Sequence, residues 1–171
     1  MSKIGVIGYG YWGPNLVRNF SEIPEAQVVA VSDLDPKRLN LVQTRYPTIN
    51  TTTDYQTLLA DPTIDAIAIA TPVCSHYELA LQALTAGKHV FVEKPLTKTV
   101  KQAEELIATA EKYNLVLHVD HTFIYTGAVR KIRELVAKGD LGDLYYYDSV
   151  RVNLGLFQTD INVIWDLAVH D

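Results

Sequence analysis

The chain has 171 residues, 48% of them apolar and 20% charged, with a formal net charge of −5. That is enough for one well-cored domain and marginal for two, and the composition is that of an ordinary soluble globular protein. It excludes a nucleic-acid electrostatic footprint, which needs clustered Lys and Arg; the strongest basic cluster, Arg130-Lys131 with Arg133, reads as the wet face of a helix. No apolar run approaches the roughly 20 residues of a membrane-spanning helix, so no membrane partner is expected. The N-terminus lacks the zones of a signal peptide, because Ile4-Gly5-Val6-Ile7-Gly8 runs straight into a glycine loop. One cysteine, Cys74, cannot form an internal disulfide, which points to a reducing cytoplasm. With no activating base paired to it, Cys74 reads as a small turn or core residue.

In chain order, Ile4–Ile7, Val28–Val31, Ala66–Ala70, His89–Val92 and Val116–Val119 are short apolar runs of the kind buried in a parallel sheet. Helical stretches lie between them. Pro14 suits a first helical turn, Asp35-Pro36 gives an N-cap followed by proline, Ser75 can cap Tyr77–Ala86 before Gly87, and Thr99 can cap Ala103–Tyr113 before Asn114. This alternation predicts an α/β doubly wound parallel sheet over residues 1–120. After it, His121–Thr126 leads into a helix over Val129–Lys138 stopped by Gly139. Asp143–Leu154 then reads as a long strand with Tyr145, Tyr147 and Ser149 on one face. The last 17 residues offer a short helix and no further strand, so residues 121–171 are expected to be the start of an incomplete second domain.

Gly8-Tyr9-Gly10-Tyr11-Trp12-Gly13 fits G-x-G-x-x-G with a strand before it and a helix after it. In that context the first glycine makes the turn, the second admits a pyrophosphate and the third lets helix and strand approach. Asp33 ends the second strand twenty residues after Gly13, where a carboxylate can accept from an adenosine ribose. That carboxylate repels a 2′-phosphate and favours NAD over NADP; Lys37 and Arg38, at the start of the next helix, read first as solvated helix residues and second as groups that could reach such a phosphate. Tyr11 and Trp12 either cover the pyrophosphate or pack the first helical turn.

The fourth strand ends at Ala70-Thr71-Pro72 with His76 just beyond, and the fifth ends at Glu93-Lys94-Pro95. The run Ala86-Gly87-Lys88-His89-Val90-Phe91-Val92-Glu93-Lys94-Pro95, with the glycine loop and Asp166-x-x-x-His170, resembles the Gfo/Idh/MocA oxidoreductases. The likeness covers essentially the whole chain. It implies a Rossmann domain, and then an α+β domain for substrate binding and dimerisation of which only the first helix and strand are present. It also implies hydride transfer between a nicotinamide and a carbinol or ketone carbon of a sugar, nucleotide sugar or cyclitol. By the same resemblance Thr71, Pro72, His76, Glu93 and Lys94 contact the nicotinamide-ribose end of the cofactor, Lys94 touches the reacting oxygen, and the Lys94-Pro95 peptide is cis. A full-length form is expected to be a homo-oligomer.

The residue chemistry can be weighed separately. A lysine is almost wholly protonated at neutral pH, whereas a histidine exchanges protons readily there. His170 is therefore read as the proton donor and acceptor, Lys94 as the cation that stabilises the developing alkoxide, and Asp166, four residues before His170, as the carboxylate that orients the imidazole. His118-Val119-Asp120-His121 has residue types that suit a metal, but the family's chemistry needs none and no metal is expected. The competing reading is a dinucleotide-binding module without turnover, as in the yeast galactose-regulon repressor, which is similar to this family.

Overall fold

The computed structural model describes residues 1–150 and 162–170 and divides into two compact units, Met1–Asp120 and His121–Asp171. The first unit contains strands β1 (Ser2–Ile7), β2 (Ala26–Ser32), β3 (Asn50–Thr52), β4 (Ala66–Ile69), β5 (His89–Val92) and β6 (Leu117–Val119). Between them run helices α1 (Gly13–Glu22), α2 (Pro36–Arg45), α3 (Gln56–Ala60), α4 (Val73–Thr85) and α5 (Val100–Tyr113). All strand pairs are parallel, and the order across the sheet is β3-β2-β1-β4-β5-β6. This is the doubly wound order of dinucleotide-binding folds.

Two apolar layers account for it. Ile4, Val6, Val28, Val31 and Ala68 pack with Leu16 and Val17 of α1 and Leu39 and Val42 of α2 on one face. On the other, Ile7, Ile67, Ile69, Val90 and Val92 pack with Leu58 of α3, Leu79, Ala80, Ala83 and Leu84 of α4, and Leu106 and Ala110 of α5. The strands read as continuous apolar runs because both faces are covered.

The expected punctuation is largely in place. Pro14 is in the first turn of α1, Asp35 caps α2 by accepting from the Lys37 N–H, and Thr99 caps α5 by accepting from the Gln102 N–H. Asn114 closes α5 in the left-handed region. Ser75 does not act as a cap: α4 begins at Val73 after Pro72, and the Ser75 hydroxyl donates within the first turn, lying 2.8 Å from both the Thr71 hydroxyl and the Pro72 carbonyl. The proline sets the start instead. Cys74, in the first turn of α4, is exposed and is not a core residue.

β3 and α3 have no counterpart in the hydrophobic pattern, since β3 is a three-residue polar edge strand, Asn50-Thr51-Thr52. Lys88 is buried and its ammonium donates to the carbonyl oxygens of Asp61 and Ile64, at 2.6 and 2.8 Å. It ties the loop before β4 to the start of β5, at the end of the sheet opposite Glu93.

The second unit contains a 3-10 turn (Thr122–Tyr125), α6 (Gly127–Lys138), α7 (Val163–Leu167) and a 3-10 turn (Ala168–His170). Gly139 ends α6 with φ of 75°. Residues 143–150 are not a strand, contrary to the pattern of Asp143–Leu154, and Tyr145, Tyr146 and Tyr147 are exposed. A strand requires a neighbour to share its ladder of hydrogen bonds, and no described residues of this unit offer one. Residues 151–154 lie outside the described residues.

Candidate functional site

All six strands run the same way, so their carboxyl ends bring Gly8, Asp33, Thr71, Glu93 and Asp120 to one edge of the sheet. β1 and β4 are neighbours whose following helices cover opposite faces, and this divergence opens a crevice at their ends.

Gly8 leaves β1 with φ of 95°, and a Cβ there would stand 2.5 Å from the Ala70 carbonyl oxygen. A Cβ on Gly13 would overlap the Gly8 carbonyl oxygen. Both glycines are required by the protein's own packing. Gly10 is different: the nearest atom to its Cβ position is a guanidinium nitrogen of Arg38 at 3.6 Å, an ordinary contact. Above this opening α1 starts without a side-chain cap, as do α3 and α4, whereas Asp35, Thr99 and Thr126 cap α2, α5 and α6. An uncapped helix start beside an open glycine position fits the approach of a pyrophosphate, which its N–H groups and dipole favour. Tyr11 and Trp12 are both exposed and meet edge to face at 5.6 Å, so they flank the loop on its solvent side.

Asp33 is buried at the end of β2. Its Oδ2 accepts from the Tyr9 N–H at 2.6 Å and its Oδ1 from the Asp35 N–H at 2.8 Å, while the half-exposed Arg38 guanidinium lies 3.4 Å from Oδ2. Each carboxylate oxygen can accept twice, so capacity for a ribose hydroxyl remains. Asp33 therefore braces the glycine loop as well as facing the crevice. Arg38 reaches back over Gly10 and Asp33, while Lys37 takes part through its backbone N–H to Asp35.

Thr71 and Pro72 join β4 to α4. His76 is fully buried, with Nδ1 2.9 Å from the Pro95 carbonyl oxygen and Nε2 2.8 Å from that of Thr71. The imidazole thus spans the loops after β4 and β5, and its ring nitrogens face backbone rather than the crevice. It thereby holds Thr71 and the segment that carries Lys94 in place. The Lys94-Pro95 peptide is cis.

Glu93 is buried next to Lys94. Burial first, then the charge of Asp120 and a hydrogen bond with it, push the Glu93 carboxyl up to about 7, against the smaller opposing pull of Lys94. Asp120 had no place in the sequence reading except as a conceivable metal ligand. The signal was there in the spacing: Phe91-x-Glu93 pairs with His118-x-Asp120, but only once the strands are known to be neighbours. His118 stacks on Phe91 at 5.3 Å. Among the described residues no group of three or more His, Cys, Asp and Glu is placed to hold a metal ion.

In the second unit, Asp166 lies on α7, which ends at Leu167, and His170 closes the 3-10 turn that follows. The two do not share one continuous α-helical face, because the chain tightens between them. Phe123, which belongs to no sequence motif, stands 4.7 Å from the His170 ring, centroid to centroid.

The sheet order, the glycine loop and the acidic end of β2 define a dinucleotide-binding α/β protein. A family model described as "Oxidoreductase family, NAD-binding Rossmann fold" matches residues 2–121, and the chain belongs to that family, GFO_IDH_MocA. It is 32% identical over 167 residues to dTDP-3,4-didehydro-2,6-dideoxy-alpha-D-glucose 3-reductase from Saccharopolyspora spinosa, covering 97% of this chain and 50% of that protein. The structure of scyllo-inositol dehydrogenase from Lactobacillus casei with NAD(H) and scyllo-inositol matches with a TM-score of 0.77 and 27% identity, over 84% of this chain and 43% of that one. KijD10, a 3-ketoreductase from Actinomadura kijaniata in complex with NADP and TDP-benzene, matches with a TM-score of 0.74 and 29% identity, over 81% and 42%. The chain spans about half the length of the curated relatives it matches.

Proposed function

We propose that this chain binds NAD at the glycine loop and serves hydride transfer between the nicotinamide and a carbinol or ketone carbon of a sugar, nucleotide sugar or cyclitol. The observation that carries the reading is the contrast within the loop, where Gly8 and Gly13 are packed against the protein while Gly10 is left open beside an uncapped helix. Family membership and the sugar and inositol chemistry named for relatives support the substrate class. Bound NAD would supply the hydride acceptor or donor. Asp33 would take an adenosine ribose hydroxyl, and Thr71, Pro72 and Lys94 would lie toward the nicotinamide end.

The residue roles follow the chemistry of the side chains. Lys94, following Glu93 at the end of β5, would stabilise the alkoxide as it develops; removal of such a donor lowers turnover by about 10²–10³-fold. His170 would take up or release the proton, with Asp166 favouring its charged form and Phe123 fixing its ring plane.

Arg38 is the observation that favours a second cofactor, because its guanidinium is a cation 3.4 Å from Asp33, the group offered to the ribose, and so available to a 2′-phosphate. Asp33 weighs against it, being buried and held by two backbone N–H groups. Calorimetric titration of NAD and NADP into the chain tests this: NAD is expected to bind more tightly, and Asp33→Asn to narrow the gap. Failure of both dinucleotides to bind would overturn the proposed function.

A further inference from the structure

The ligand end of the first unit also holds a pair of carboxyl groups with no part in the reaction as described. β5 and β6 pair with Phe91 opposite His118 and Val92 opposite Val119. Continued by one residue, the ladder sets Glu93 beside Asp120, whose N–H donates to the Val92 carbonyl at 2.9 Å. Glu93 is only 7% exposed, and its Oε1 is buried with no hydrogen-bond partner among the described residues. A buried acceptor left open is costly unless the group stays neutral or a ligand completes it.

Among the described residues, the charges that act on Glu93 are Asp120, after β6, and Lys94, which follows it on its own loop; His118 stacks on Phe91 two residues before it. On the β4 side the register leads to Ala70, and on the α1 side Phe20 packs edge to face on Phe91. The carboxyl group is thus poised between neutral and ionised near neutral pH, with Asp120 opposing its ionisation and Lys94 assisting.

We propose that Glu93 and Asp120 together sense the charge of the nicotinamide ring, so that Asp120, acting through Glu93, is a specificity-determining residue that separates oxidised from reduced cofactor. The proposal rests on the reading of the chain as a nicotinamide-dinucleotide protein with the ring toward the ends of β4 and β5. An oxidised ring is cationic and favours ionised Glu93, so its binding sends the Glu93 proton to solvent. A reduced ring is neutral and leaves the proton in place. By linkage, a ligand that releases a proton binds more tightly as pH rises.

The test is calorimetry of the intact chain with NAD⁺, NADH and ADP-ribose, in buffers of different ionisation enthalpy so that protons are counted. Between about pH 6 and pH 8 the affinity ratio of NAD⁺ over NADH is expected to rise about fivefold, with proton release on NAD⁺ binding. ADP-ribose, which lacks the ring, is expected to show neither effect, and Asp120→Asn to flatten the rise. A ratio that stays constant, a slope shared by ADP-ribose, or a slope unchanged in Asp120→Asn overturns the sensor. If Asp120→Asn does not fold, the wild-type slope and proton count decide alone. Failure of ADP-ribose to bind would instead overturn the proposed function; ADP-ribose binding with a constant ratio removes only the sensor.

Discussion

At the scale of single residues, the three loop glycines separate packing from ligand binding. Gly13→Ala pushes a methyl group into the Gly8 carbonyl, and such overpacking costs about 1–3 kcal/mol; a lowered midpoint in thermal or urea unfolding is expected. A Cβ at Gly10 meets only the end of the Arg38 side chain, at 3.6 Å, so in Gly10→Val stability is expected to hold while NAD binding is lost, as read by the same unfolding curve and a titration. Equal destabilisation by both changes would contradict the assignment of Gly10 to a ligand. Glu93 makes a second prediction. Its carboxyl is raised from 4.5 to about 7, so the folded state holds a proton that the unfolded chain has lost over that interval. Stability from this group is full below about pH 4.5 and declines as pH rises through about 7, by roughly 3 kcal/mol at most. Denaturant midpoints measured across this range should fall in the wild type and level off in Glu93→Gln, provided other groups are compared in the same pair.

At the scale of elements, the strands and helices of the first unit were legible because their signals are local. Apolar runs, Asp35, Thr99 and Asn114 each act within one turn of the chain. β3 was not legible, since a polar edge strand gets its place from β2 rather than from its own pattern. Ser75 misled because Pro72 fixes the start of α4 first. The run from Ala86 to Pro95 also divides by element: Lys88 serves the fold at one end of β5, and Glu93 and Lys94 lie at the candidate site at the other. Lys88→Met leaves the Asp61 and Ile64 carbonyls without their ammonium donor, a loss of about 1–3 kcal/mol. It should lower the unfolding midpoint without changing cofactor affinity per folded molecule. The pairings that turn a list of motif residues into a site, His76 with Thr71 and Pro95, Asp33 with Tyr9, and Glu93 with Asp120, join positions 5 to 27 residues apart and could be read only once the sheet order was known.

At the scale of the whole molecule, both apolar layers of the doubly wound sheet are built from residues between Ile4 and Val119. The first unit therefore has a complete core, and residues 1–120 alone are expected to fold cooperatively and to bind NAD with the affinity of the 171-residue chain. Substrate turnover is another matter, because the chain covers about half of each relative. The 171-residue chain is expected to oxidise sugars and cyclitols poorly or not at all, while a full-length relative carrying the same residues loses turnover on Lys94→Ala and on His170→Ala, the latter with NAD binding retained. The central claim is that the opening at Gly10 receives the pyrophosphate of a nicotinamide dinucleotide. Calorimetric titration of NAD into the wild-type chain and into Gly10→Val tests it most directly: the account predicts one site per chain in the wild type and no binding in a folded Gly10→Val protein. Undiminished binding in Gly10→Val would contradict it.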